Sequence, residues 1–256
     1  KTTEGIFAPW AFYKKDFQEI GGHDPLYAPQ SKEDSDIFNR FQLNGIKFIQ
    51  TWEGCVYHMT CRGSRFADGA KRNPSGEVFM KNRETDEWLT QNQKSTREFL
   101  RKWGSFVYHD ALLKPIIPPL YNIGFILNNK LTIPQNLFFL HQFTISNNGQ
   151  LLNVLEPWCS TIYTNFLEVE DYINFEQKKT SFNLRDRIKP YDNEKQNHIL
   201  VEIDCNKFNQ QDYEIIQQLP QIINDSGEIG TFELGNLNIE IFNLETYEKN
   251  LIVCKS

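Results

Sequence analysis

The chain has 256 residues, of which 39% are apolar, 14% aromatic and 23% charged. That balance excludes a mostly disordered chain and is enough for a core that needs no disulfide or metal staple. A formal net charge of −6 argues against a generic nucleic-acid binder, and the longest apolar-looking stretch, Pro115 to Leu127, is short and broken by three prolines, so it cannot span a membrane.

The five cysteines (Cys55, Cys61, Cys159, Cys205, Cys254) are odd in number and contain no C-x-x-C pair. They read as reduced thiols of a cytoplasmic protein. The chain opens on Lys1 and its methionines are Met59 and Met80, so a segment upstream of Lys1 is expected. Charge divides the sequence. Residues 1–118 carry 17 Lys+Arg and 15 Asp+Glu, whereas residues 119–256 carry 10 and 18. The boundary falls on the proline connector Lys114 to Pro119, and two domains, 1–118 and 119–256, are the resulting expectation.

In chain order, Gly5 to Phe12 reads as a short buried strand. Lys14 to Ile20 gives one or two helical turns closed by Gly21-Gly22. Ser31 to Leu43 reads as a helix with Ser31 as its cap and Asp34 as the capping-box partner, with Ile37, Phe38 and Phe41 on its apolar face. Ile46 to Thr51 and Cys55 to His58 read as strands, and Thr85 to Trp103 as a long helix stopped by Gly104. In the second half, Tyr121 to Leu127 and His198 to Cys205 read as strands. Asn209 to Ile223 reads as a helix that Pro220 should kink or shorten. Thr231 to Leu234 and Leu237 to Phe242 flank the hairpin signal Gly235-Asn236. Leu251 to Cys254 reads as a last strand. The whole is α/β (α+β) in class, with the second half as a small α+β module. Glu156 to Cys159 and Tyr172 to Gln177 are unusual in composition, with no mechanism attached to them.

The densest chemistry is Lys32-Glu33-Asp34-Ser35-Asp36. Acids in a first helical turn complement the helix dipole; alternatively Asp34 is a general base for a substrate hydroxyl. Ahead of it, Gly21-Gly22 either ends a helix or lets a ligand approach the backbone. Behind it, His58 is either structural or a ligand for a metal or phosphate. Arg62 and Arg65 are either phosphate forks or solvated surface. Trp10, which precedes the glycine loop, is the best candidate among the tryptophans for stacking on a sugar.

The order G-G-x-D (Gly21 to Asp24), then E-D-x-D-x-x-x-R (Glu33 to Arg40), then Gly45 and a histidine (His58), resembles the acceptor-side, C-terminal half of a GT-A glycosyltransferase, with family 2 the nearest likeness. Arg97 to Gly104 resembles the Phe…Lys-Trp-Gly ending of that family. The resemblance covers about residues 5–105. It implies an inverting transfer from a nucleotide sugar to a glycan or other hydroxyl acceptor. Asp34 would be the base and Glu33 would orient the acceptor. Gly21, Gly22 and Asp24 would lie along the substrate, with Trp10 and Arg62 as further substrate contacts, and His58 would complete a Mn²⁺ or Mg²⁺ site. In that family a Rossmann-like, D-x-D-bearing half precedes these motifs. Only four residues precede the first matching strand here, so a chain with little activity alone is expected. The competing expectation is a non-catalytic glycan- or protein-binding module.

Overall fold

The computed structural model describes residues 10–49, 51, 53, 70–72, 78–80, 86–112, 114–132, 138–140 and 143–252. The first elements are α1 (Lys14–Glu19) and α2 (Glu33–Leu43). A two-stranded antiparallel pair follows, β1 (Ala70–Arg72) with β2 (Val78–Met80), and then the long helix α3 (Asp86–Trp103). The strand β3 (Tyr108–His109) pairs antiparallel with β4 (Pro115–Ile116), which lies in the connector itself.

The second half supplies β5 (Ile123–Asn128), the paired β6 (Phe138–Leu140) and β7 (Phe143–Ile145), α4 (Asn148–Leu155) and β8 (Thr161–Tyr163). After these come α5 (Glu168–Glu176), α6 (Leu184–Arg187) and β9 (Ile188–Lys189). The chain continues with β10 (Ile199–Asp204), α7 (Gln210–Ser226), β11 (Gly230–Leu234) and β12 (Leu237–Ile241).

These strands form a six-stranded sheet in the order β11-β12-β10-β5-β8-β9. The four neighbours β10, β5, β8 and β9 are parallel, while β12 is antiparallel to both β10 and β11. The module expected as α+β is thus built on parallel strands with helical crossovers. Alternation along β5 explains its core: Ile123, Phe125 and Leu127 join α4, α5 and α7 in one large cluster, whereas Ile126 meets Tyr163 and Leu200 on the opposite face. At Gly124 a Cβ would meet the Asn197 side chain at 2.5 Å, so only glycine fits.

Local chemistry accounts for most boundaries. Asn209 caps α7 with a reciprocal capping box to Asp212, and Gly227 closes it in the left-handed region. Pro220 does not shorten α7, because Ile216, Leu219 and Ile223 bury one continuous face across it. Ile46 to Ile49 is irregular instead of a strand, and Trp10 to Phe12, the described end of another expected strand, is irregular too. Leu251 ends a 3₁₀ turn, Glu248–Leu251, so no strand begins there. Cys55 to His58 lies outside the described residues. No helix among the described residues is long and apolar enough to cross a membrane.

The proline connector does not leave the two sequence halves apart. Leu100 of α3 enters the large core of the second half, while Phe99 and Trp103 pack on Tyr27 of the first.

Candidate functional site

The start of α2 departs from the capping box that the sequence suggests. Ser31 and Lys32 both take left-handed backbone, with φ of 81° and 74°, and Lys32 is the cap position without a side-chain cap bond. Two successive non-glycine residues there cost roughly 1–3 kcal/mol each, and such strain concentrates at functional positions. Glu33 and Asp34 follow directly. Asp34 is exposed, and Glu33 is half-buried, with an Oε2 that has no hydrogen-bond partner among the described residues. Although the Asp34 side chain reaches solvent, desolvation by the protein around it raises its carboxyl above its ordinary value, and the nearby charge of His23 draws it back.

Asp36, two residues on, is fully buried and is the hub of the region. Its Oδ1 accepts from Lys102 Nζ at 2.6 Å, Trp103 Nε1 at 2.9 Å and Tyr27 Oη at 3.4 Å. Its Oδ2 accepts from Arg40 Nε at 2.8 Å. Arg40, one turn later on α2, also donates to the Ile20 carbonyl. Lys102 bridges onward to Asp24 Oδ2 at 2.8 Å. The E-D-x-D-x-x-x-R run and the Lys-Trp-Gly run, 66 residues apart, therefore meet at one carboxylate.

The remaining sequence candidates divide. Gly21 and Gly22 end α1, both at positive φ, and their amides bond back to Gln18 and Phe17. Asp24 caps the following turn through the Leu26 amide. Burial opposes its charge, but the bonds from Lys102 and that amide hold its carboxyl below the ordinary value. Trp10 packs between Phe12 and Phe38, with centroids at 4.8 and 5.2 Å. His58 and Arg62 lie outside the described residues. Among the described residues no group of three or more His, Cys, Asp or Glu could hold a metal ion.

A second buried ionic cluster was not read from the sequence. Glu156, wholly buried after α4, receives Arg101 through Nε and Nη2, Arg187 through Nε at 2.8 Å, and Arg97 at 3.4 Å. Tyr172 donates to it at 3.1 Å, while Glu176 accepts from Arg97 and Arg101. Burial alone would raise the Glu156 carboxyl, but the guanidiniums outweigh it and bring it down to about 2. The two passages of unusual composition, Glu156 to Cys159 and Tyr172 to Gln177, thus join around α3. A retrospective signal existed: Arg97, Glu98 and Arg101 stand on or beside the apolar stripe of α3, where charge needs a partner.

A third feature is topological. The parallel strands run outward from β5 to β8 and β9, then restart at β10 on the other side of β5. Strand order reverses between β5 and β10, where Asn128 and Asp204 end side by side. The Asn206 side chain ties the two following loops together, donating to the carbonyls of Asn129 and Lys130 and accepting from the Thr132 amide. In open α/β sheets ligands bind outside the carboxyl ends of strands at such a reversal.

Neither a family model, a curated protein nor a solved structure matches this chain.

Proposed function

We propose that this chain serves inverting sugar transfer from a nucleotide sugar to a hydroxyl of a glycan or other acceptor. The observation that carries the reading is the anchoring of Asp36. Successive helical residues are 100° apart, so a side chain two positions from Asp36 points roughly 200° away from it. With Asp36 held inward by Lys102, Trp103 and Arg40, Asp34 faces outward as the free acid. Its carboxyl, raised by partial burial, suits a base that takes a proton from an acceptor hydroxyl.

In that chemistry the hydroxyl loses its proton to Asp34 and its oxygen attacks the anomeric carbon. The bond from that carbon to the nucleoside diphosphate breaks, and the diphosphate leaves with the electron pair. Attack opposite the leaving group inverts the centre. Glu33, with an unpartnered buried oxygen, is suited to accept a second acceptor hydroxyl. Mn²⁺ or Mg²⁺ would neutralise the leaving diphosphate; the residue assigned to it by the resemblance, His58, lies outside the described residues.

The sheet reversal at β5 and β10 supports a nucleotide site on the same chain. The family likeness places a Rossmann-like unit ahead of the E-D motif; here a mixed, mostly parallel sheet follows it. The test is to express the full reading frame and incubate it with a panel of nucleotide sugars, saccharide acceptors and Mn²⁺ or Mg²⁺. Release of nucleoside diphosphate with an inverted product supports the reading. Glycan binding without transfer under any donor would replace it with a binding module.

A further inference from the structure

A well-formed cleft lies away from α2. It lies between α3, the N-terminal part of α4 and α5, and has a volume of about 480 Å³. That is within the usual range of small-ligand sites, about 300–1,000 Å³. Its walls follow helix periodicity: Thr90, Gln93, Lys94 and Arg97 form one stripe on α3, and Asp171, Phe175 and their neighbours form another on α5.

The floor is rigid. Arg97 donates to Tyr172 Oη at 2.7 Å and to Glu176 at 2.8 Å, and both acceptors are buried. Among the described residues three cations and three acids line the cleft, and no aliphatic side chain does. Arg97 and Lys179 already face Glu176. A strongly anionic ligand would therefore meet two cations already paired, with Glu168 and Asp171 beside the third, Lys94, and the apolar part of the wall is aromatic, from Tyr172 and Phe175. Phe175 is 62% exposed, too exposed for a core residue, and the Lys179 ammonium stands 3.7 Å from its ring centroid. The Lys179 ammonium covers one face of the ring; the ring's remaining exposed surface, beside amides and a carboxylate, matches a pyranose, whose C–H face stacks while its hydroxyls hydrogen-bond around the rim.

We propose that this cleft binds a neutral saccharide, with Phe175 as the stacking platform and Asp171 and Gln93 as hydroxyl partners. The inference stands on the lining of the cleft and does not require the transferase reading. Saturation-transfer NMR on the whole chain, with maltose, cellobiose and lactose, and with a sulfated heparin disaccharide as the anionic probe, tests it. At least one neutral disaccharide should bind, Phe175→Ala should weaken it about tenfold, and Asp171→Asn should weaken it less. Phe175→Ala should leave the melting temperature unchanged, because the ring is exposed. Asp34→Asn should leave the binding unchanged, which separates this cleft from the site on α2. Binding of none of the neutral disaccharides, preference for the sulfated probe, or wild-type affinity in Phe175→Ala would each overturn the proposal.

Discussion

Helix α3 enters two buried ionic clusters, and they differ in what they leave free. At its C-terminal end Lys102 and Trp103 hold Asp36; Arg101, next to Lys102, and Arg97, a turn earlier, hold Glu156. The Asp36 cluster joins elements of the first half only. The Glu156 cluster gathers three guanidiniums and the Tyr172 hydroxyl and joins α3 to the second half across the proline connector. Beside Asp36, the strained turn at Ser31 and Lys32 leads into the exposed Asp34 and the half-buried Glu33. In the Glu156 cluster the carboxylates are themselves buried. An anchored acid next to a free one is the pattern of a supported site, whereas acids all enclosed make a brace.

The comparison can be broken by mutation. Glu156→Ala should have the largest effect on stability, about 3–5 kcal/mol, because it leaves buried guanidiniums without their common partner. Urea unfolding measures it, and a loss below 1 kcal/mol would demote the brace. Asp36→Asn should cost less, about 1–3 kcal/mol, since an acceptor oxygen remains for Trp103 and Tyr27. Acid should act on the brace in a defined window. The Glu156 carboxyl sits at about 2 in the folded chain against an ordinary 4.5. Its contribution is complete above pH 4.5 and is lost as pH falls toward 2, so Glu156→Gln should flatten this part of the stability profile. The smallest effect sharpens the free acid: His23→Gln should raise the Asp34 carboxyl further, because His23 opposes its upward shift. An NMR titration of Asp34 reads this, and an unchanged midpoint would remove His23 from the site.

Much of the fold was legible where one local rule governs. The long helix α3 stopped by Gly104, the strands β5 and β10, the helix α7 and the Gly235-Asn236 hairpin all depend on neighbouring residues. The topology was not legible, because β8 and β9 have only three and two residues and gain their identity by pairing in parallel with strands far away in sequence. At α2, the E-D motif drew attention to the first turn but did not separate the buried Asp36 from the exposed Asp34. Asp36 reads as one more first-turn acid until Lys102 and Trp103 arrive from 66 and 67 residues away. The Ser31 cap failed because two left-handed residues turn the chain there, which no propensity indicates. Glu156 stood out by composition alone, since its three arginine partners come from α3 and α6.

The most direct measurement compares Asp34→Asn with Asp36→Asn in the protein expressed from its full reading frame, reading both transfer rate and melting temperature. Asp34→Asn should lower turnover about 10²–10⁴-fold at an unchanged melting temperature, whereas Asp36→Asn should lower the melting temperature. Wild-type turnover in Asp34→Asn would contradict the account, and so would an undisturbed melting temperature in Asp36→Asn.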